Sequence, residues 1–274
     1  MATVMTTELE VQHLPRKEKA VRKLPGVIRA MAIPFIILVA WEALARSGYL
    51  AVNLFSSPTL ILLKGYELMK SGELIKHLAI SLQRAVIGFG LGGFLGLAFG
   101  VWVGMKRKTE QYLNPTLQMV RTVPLLAITP LFILWFGFGE LSKVLLISLG
   151  AFFPLYLQSF LGVRNVDNKL FEVAKILEYS TVEKITKVLF PGSLPNILLG
   201  IRLSLSTAWM CLVAAELLGA TKGVGFMIQD ARAFMATDKV FVGIIIFALI
   251  GKLSDSFVRV LEERLLKWQD SFKA

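Results

Sequence analysis

Residues 170–180 read Leu-Phe-Glu-Val-Ala-Lys-Ile-Leu-Glu-Tyr-Ser, and residues 188–192 read Val-Leu-Phe-Pro-Gly. Long apolar segments precede and follow this stretch, so it forms a loop outside the bilayer that is large enough to hold structure of its own. A folded, partly apolar protrusion of this kind is suited to contacting another protein.

The same loop predicts two short helices that meet at a corner. Asp167 or Asn168 can cap the first helix, because short polar side chains accept from free N–H groups there. Ser180, followed three residues later by Glu183, predicts a capping box for the second helix. Pro191 is expected to stop that second helix.

The composition is typical of a polytopic membrane protein. The chain has 274 residues, of which 55% are hydrophobic and only 18% charged, and its mean hydropathy is +0.66. The net charge of +11 comes from basic blocks beside apolar runs rather than from one soluble face, so it indicates membrane orientation and not nucleic-acid binding. The single cysteine, Cys211, excludes an intrachain disulfide.

The apolar runs predict an all-α protein with about six transmembrane helices. The spans are residues 27–45, 80–105, 123–138, 142–161, 196–220 and a sixth that begins near residue 239. They form one domain over residues 27–268, which includes the loop at 165–195 and is flanked by tails at 1–26 and 269–274. Basic residues concentrate in 1–29, 106–121, 164–187 and 259–273. All four segments fall on one side of the predicted topology, which places both termini in the cytoplasm.

The second span carries glycines at a strict four-residue period: Gly88, Gly92, Gly96, Gly100 and Gly104. This spacing removes side chains from one stripe of the helix and lets another helix backbone approach closely. The third span, 123–138, contains Pro124 and Pro130, so we expect an irregular helix. Irregular backbone at membrane depth is tolerated against protein or a water-filled cavity, which makes Pro130 a candidate for the wall of a pathway.

Several ionisable residues lie inside apolar spans. A carboxylate such as Glu216 costs about 2.5–3.5 kcal/mol there, so it should face the interior and be paired or protonated. Arg202 is about 21 Å away along the same helix, so the partner must come from elsewhere. Lys252, Asp255, Arg259 and Glu263 predict a charged face that pairs within its own helix. That face is either an interfacial helix end or the polar lining of an inner vestibule.

The sequence contains none of the common catalytic or cofactor patterns. It has no Gly-x-x-x-x-Gly-Lys-Ser/Thr motif for nucleotide phosphates and only two histidines, His13 and His77, which leaves no metal-binding or Ser/His/Asp set. We therefore expect no enzyme activity and no cofactor in this chain. If ATP drives its function, the ATPase is another polypeptide.

The loop resembles the signature of permeases from ATP-binding-cassette (ABC) importers. Those permeases carry Glu-Ala-Ala, then Gly six residues after the Glu, then Ile-x-Leu-Pro; this chain has Glu172-Val173-Ala174, Glu178 and 188–191 at the same spacing. Glu178 stands where the family has Gly, and a non-glycine residue enters the left-handed region only at a cost. The corner is therefore expected to be built by Tyr179 and the cap at Ser180. The resemblance implies an ATPase-coupling role for Glu172, Val173, Ala174, Leu177, Glu178, Ser180, Val188 and Pro191.

The resemblance extends over about residues 57–268 and is nearest to permeases of bacterial aliphatic sulfonate importers. The segments that carry it are 71–74, 77–82 with Arg84, 87–89, 118–121, 123–124, 135–137, 153–154, 200–202, 214–216 and 251–253. Taurine, nitrate and bicarbonate permeases share most of these motifs and remain alternatives for the substrate. An ion-coupled secondary transporter and a structural membrane protein are rival classes.

The resemblance implies a type I ABC importer permease in the bacterial cytoplasmic membrane. It further implies a homodimer, two cytoplasmic ATPase subunits that bind ATP and Mg²⁺, and an extracytoplasmic solute-binding protein. A sulfonate stays ionised, so its pathway must supply donors or water. Arg84, Arg202 and Lys252 are candidate donors, and Pro130, Glu216 and Asp255 complete the predicted pathway set.

Overall fold

A computed structural model describes residues 26–48 and 55–268, and all regular structure in this part is helical, which confirms the all-α prediction. The predicted tails fall outside the described residues, apart from Gly26. The elements in chain order are α1 (Gly26–Arg46), α2 (Pro58–Lys70), α3 (Glu73–Met105), α4 (Arg107–Arg121), α5 (Leu125–Phe136), α6 (Glu140–Arg164), α7 (Asn168–Ile176), α8 (Thr181–Glu183), a π-helical segment (Lys184–Leu189), α9 (Phe190–Gly219), α10 (Val224–Ala233) and α11 (Thr237–Leu265).

Four helices of the described part are long and apolar enough to cross a membrane: α3, α6, the continuous helix Thr181–Gly219 and α11. The pair α4 and α5 makes a fifth if the two are counted as one bent span. The 21-residue helix α1 is not among them, so the count of about six stays a prediction.

The centre of the fold is α6, which packs along α3 on one side and α9 on the other. Gly88 of α3 lies against Ile147 of α6, and Gly104 lies against Val163, so α3 and α6 run in the same direction. Helix α9 runs the opposite way, since Gly150 of α6 lies against Cys211 and Gly162 lies against Asn196. This arrangement agrees with the predicted topology, in which the second and fourth spans both run inwards.

All five glycines of the four-residue series face α6 and are buried. A Cβ on Gly96 would lie 2.5 Å from the carbonyl oxygen of Phe152, and a Cβ on Gly100 would lie 2.5 Å from that of Tyr156. The space beside these glycines is filled by the backbone of α6 rather than by a flexible side chain. The two helices therefore approach each other so closely that no side chain fits between them on this face of α3. We call this contact the glycine seam.

The third predicted span differs from the observed structure. Residues 107–121 form the amphipathic helix α4, and α5 meets it at a bend of 92°. With 12 residues, α5 is about 18 Å long, shorter than the hydrocarbon core of about 30 Å. Pro124 stands at its N-cap, where the missing N–H costs nothing, and Gly137 ends it at φ +75°.

Pro191 does not stop a helix, contrary to the sequence-based expectation. One helix runs from Thr181 to Gly219 over 39 residues, and Pro191 lies within its α9 part. The six-residue π segment, Lys184–Leu189, comes immediately before. Its wider turn shifts the hydrogen-bond register and relieves the clash between a proline ring and the carbonyl of the preceding turn, so the helix can continue.

Candidate functional site

The loop that connects α6 to α9 is built on α7; we call it the inner loop because the predicted topology places it on the cytoplasmic side. The Asp167 side chain accepts from the backbone N–H of Lys169 at 2.9 Å and so caps this helix. Ala174 is buried against the rest of the protein. The opposite face exposes Val173, Ile176 and Leu177, and Ile176 is 80% exposed. An apolar face that is left largely exposed by the described part of the chain is a feature of surfaces that bind a partner.

The corner after α7 is a Schellman motif centred on Glu178. The N–H of Glu178 donates to the carbonyl of Lys175 at 3.0 Å, and the N–H of Tyr179 donates to the carbonyl of Ala174 at 2.9 Å. Glu178 itself adopts φ +53°. The sequence-based expectation that Tyr179 and Ser180 would build the corner instead was therefore wrong. The hydrogen bonds of the motif hold a residue with a Cβ in a conformation that favours glycine.

Replacing Glu178 with glycine is expected to stabilise this corner. Glycine has no Cβ and so avoids the cost of the left-handed conformation, and the net gain is about 1 kcal/mol, which corresponds to an about fivefold lower population of the opened motif. Hydrogen–deuterium exchange at the Tyr179 amide measures it directly. Glu178→Ala is the matched control, since it removes the carboxylate but keeps the Cβ, and equal protection in both variants would contradict the account.

The second limb of the loop begins with the predicted capping box. The Glu183 N–H donates to Ser180 Oγ at 3.3 Å, and the Ser180 N–H donates to Glu183 Oε2 at 3.0 Å. Lys187 donates to the other oxygen of Glu183 at 2.9 Å. The bond from Lys187, followed by the bonds from Ser180, lowers the pKa of this loop carboxylate to about 2. The box therefore stays ionised and intact at any physiological pH.

The base of the loop is attached to the helices behind it. Val166 and Leu189 are buried together with Val163 of α6 in a small apolar cluster. Arg164, the last residue of α6, forms an ion pair with Glu110 of α4. The base of the loop is therefore held to α4 and α6 by an apolar cluster and an ion pair.

A buried ion cluster lies at the other end of the bundle, around Glu216 of α9. The Glu216 carboxylate accepts from Arg84 Nη1 at 2.8 Å, from Ser81 Oγ at 2.8 Å and from the backbone N–H of Gly225 at 2.8 Å. Its side chain is fully buried, and the Arg84 side chain is only 3% exposed. The partner of Glu216 thus comes from another helix, α3. This agrees with the expectation that a carboxylate inside a membrane span needs a partner, because burying it alone is costly in free energy.

Arg84 has two further partners, which sequence reasoning missed. Its Nε and Nη2 each donate at 2.6 Å to Glu140, the first residue of α6, and Nη1 also donates at 2.7 Å to the carbonyl of Lys222. Nearby, the buried Lys143 ammonium donates to the carbonyls of Phe138 and Gly139. Two cations and two carboxylates leave the cluster without net charge. It joins α3, α6, α9 and the loop before α10.

The second predicted group of charges pairs between helices, not along α11. Arg202 of α9 donates to Asp255 of α11 at 2.6 Å and lies 3.9 Å from Glu262. The expected pairing of Asp255 within its own charged face was therefore wrong, because a facing arginine provides a closer partner. Lys252 is exposed on the same helix, and Pro130 is exposed on α5. The structure does not bring these residues together with Arg84 and Glu216.

A comparison with protein families gives a match that covers both the loop and most of the membrane-spanning helices. The sequence profile described as "Binding-protein-dependent transport system inner membrane component" matches residues 88–267, about two thirds of the chain. The chain belongs to this family. It is therefore a membrane-embedded transport subunit and not an enzyme. The matched range contains the inner loop, Glu140, Arg202 and Glu216.

Individual relatives match over nearly the whole length. The chain is 54% identical over 257 residues, 94% of this chain and 93% of the relative, to a protein of Bacillus subtilis (strain 168) described as an aliphatic sulfonates transport permease protein, SsuC. It is 33% identical over 273 residues to the taurine transport system permease protein TauC of Escherichia coli (strain K12), 98% of each chain.

A solved structure supports the fold independently. A chain of an amino acid ABC transporter, determined with histidines, superposes with a TM-score of 0.56 over 73% of this chain and 97% of that one. The sequence identity is 18%, so the likeness concerns the fold alone. The fold is that of an ABC importer permease.

Proposed function

We propose that this chain is the permease subunit of an ATP-driven importer of aliphatic sulfonates. One observation carries the proposal: the chain is more than half identical to SsuC over almost the full length of both proteins. The substrate then crosses by alternating access, in which the bundle opens to one side of the membrane at a time.

The proposed assembly contains two copies of this chain, two cytoplasmic ABC ATPase subunits and an extracytoplasmic solute-binding protein. It lies in the bacterial cytoplasmic membrane with both termini of this chain in the cytoplasm. ATP and Mg²⁺ are bound by the ATPase subunits, since this sequence has no phosphate-binding loop. The partners of this chain are proteins and lipid, not nucleic acid.

The inner loop is the proposed contact with the ATPase. Val173, Ile176 and Leu177 form an exposed apolar face on α7, beside the exposed carboxylate of Glu172. Such a helix can dock into a groove of a partner through its apolar residues, with the charge setting the register. Closure of the two ATPases would then pull both loops together, and the Arg164–Glu110 pair and the continuous helix Thr181–Gly219 would carry that motion into the bundle.

Replacing Glu172 with lysine is expected to uncouple ATP hydrolysis from uptake while the protein still inserts. Reversing one charge at a docking surface places like charges in contact or removes a partner, so we expect alkanesulfonate uptake to fall at least tenfold. The measurement is uptake and ATPase rate together in proteoliposomes that hold all the subunits. Glu263→Lys is the matched control, because Glu263 is exposed on α11 outside the loop. Normal uptake by Glu172→Lys would contradict the docking role.

Taurine is the second candidate substrate, because TauC matches 98% of the chain. Nitrate and bicarbonate are weaker alternatives from the wider group of permeases. Faster uptake of taurine than of ethanesulfonate by the wild-type assembly would favour the second candidate over the first.

A further inference from the structure

A cavity of about 350 Å³ opens between α5, α6 and α9, at the level where α4 bends into α5. This volume lies within the range of about 300–1,000 Å³ that is usual for small-molecule sites. Five of its eight lining residues are apolar, among them Phe153, Leu157 and Leu203. The other three are Arg121, Gln158 and Thr207.

The charge in this cavity is positive and uncompensated. Arg121 is the last residue of α4, and within residues 26–48 and 55–268 it forms no ion pair and no side-chain hydrogen bond; none of the eight lining residues is acidic. The candidate donors Arg84 and Arg202 differ, because carboxylates already occupy them. The Arg121 side chain is exposed and lines the cavity, whose other lining residues are mostly apolar. An arginine without a partner at such a cavity favours an anion that offers two oxygens to its guanidinium group.

Two further groups favour an anion at the same end of the cavity. The Gln158 side-chain amide makes no hydrogen bond to the described residues and can donate. Leu125, another lining residue, is the first residue of the 12-residue helix α5, which no side chain caps. The N–H of Ala127 donates to the carbonyl of Pro124 at 2.9 Å, whereas those of Leu125 and Leu126 have no partner among the described residues. The positive end of the helix dipole therefore lies at the cavity.

The predicted topology places the cavity at membrane depth, between helices of the central bundle. Helix α5 extends about 18 Å from Leu125 to its end near Gly137, which the predicted topology places on the outer side. The cavity mouth at Arg121 and Leu125 is therefore in the inner half of the bilayer. Phe153 and Leu203 are central residues of α6 and α9, the two most extensively packed helices around it.

We propose that this cavity is the binding site within the membrane for the alkanesulfonate that the importer carries, with Arg121 and Gln158 on the sulfonate oxygens and the apolar residues on the alkyl chain. This inference rests on the proposed function, and it also predicts which anions the site would prefer. Taurine carries an ammonium group, and no lining residue offers it a carboxylate. Nitrate has no chain to fill the apolar part. The site thus selects unsubstituted alkanesulfonates over both.

The test measures uptake by the complete assembly in proteoliposomes with one solute-binding protein throughout. Arg121→Gln is expected to lower ethanesulfonate uptake at least tenfold, and Arg121→Lys, which keeps the charge, is expected to restore part of it. Arg107→Gln is the matched control: Arg107 is exposed at the other end of α4 and does not line the cavity. It should leave uptake within twofold of wild type.

A second variant keeps the inference testable if Arg121→Gln does not insert. Leu203→Trp fills the apolar part, so the ratio of octanesulfonate to ethanesulfonate uptake should fall at least tenfold. If the wild type takes up alkanesulfonates but Arg121→Gln stays within twofold of it, or Leu203→Trp leaves the ratio unchanged, the cavity is not the site. If the wild type takes up no alkanesulfonate, the proposed function itself fails.

Discussion

Replacing Gly92 with alanine is expected to prevent the bundle from folding stably. A Cβ on Gly92 would overlap the backbone of Ser148 on α6, and backbone cannot rotate away as a side chain can. Either α3 and α6 separate along the whole glycine seam or the helices distort, and overpacking of this kind costs about 3 kcal/mol or more. The yield and thermal midpoint of the protein in detergent measure the loss.

Gly90→Ala is the control for this prediction. Gly90 is two residues away on the same helix, is exposed, and has no atom within 4 Å of the position of a Cβ. Alanine is there a better helix former than glycine, by about 0.5–1 kcal/mol, so Gly90→Ala should fold at least as well as the wild type. If Gly92→Ala were as stable as Gly90→Ala, the close contact between α3 and α6 would be wrong.

Replacing Arg84 with methionine is expected to destabilise the protein by about 3–5 kcal/mol, because it leaves the Glu216 carboxylate buried without its cation. The double variant Arg84→Met with Glu216→Met should recover part of this loss, since two apolar side chains of similar length need no counter-charge. Thermal unfolding of the purified protein compares the single and double variants.

Arg46→Met is the control for the buried cluster. Arg46 also pairs with a glutamate, Glu42, but its side chain is 69% exposed, so losing that pair should change the midpoint little. A double variant less stable than Arg84→Met alone would show that Glu216 does not depend on Arg84.

The sequence predicts local features of this fold well. Ser180 and Glu183 are close in the chain and their spacing defines the capping box, which the structure contains. The four-residue period of the glycines likewise identified one face of α3 before any partner helix was known. In both cases the residues that define the pattern are three or four positions apart, about one helical turn.

Features that depend on distant parts of the chain were not predicted. The cost of a buried carboxylate requires a partner for Glu216, yet Arg84 is 132 residues away, and the sequence does not reveal which cation meets it. The signal that could have identified it is that Arg84 itself interrupts an apolar run. Glu140 and Ser81 carry no such signal, because they look like an ordinary helix start and an ordinary small polar residue.

In three places another interaction overrode the local preference on which the expectation was based; two of these interactions are within the backbone of neighbouring residues, and the third is a tertiary contact. Glu178 enters the left-handed region because the Schellman bonds hold it there, Pro191 continues a helix because a π segment precedes it, and Asp255 pairs with Arg202 across two helices. Local preferences are worth about 1–3 kcal/mol each, so packing of whole helices can outweigh any one of them.

The two ends of the bundle have different physical characters. The end that the predicted topology places outside is held by a neutral ion cluster whose charges are all paired. The opposite end carries a helix with an exposed apolar face, a π segment and Arg121, which has no ion-pair partner among the described residues. In the proposed mechanism the ATPases act on the inner end, and the rigid seam between α3 and α6 moves as one body.

The most direct test of the account is uptake of an alkanesulfonate by the wild-type assembly in proteoliposomes, measured with ATP withdrawn and, separately, with the ion gradients collapsed. We predict that uptake stops without ATP and continues without the gradients. Uptake that survives the loss of ATP but stops when the gradients are collapsed would show a secondary transporter and would contradict the account.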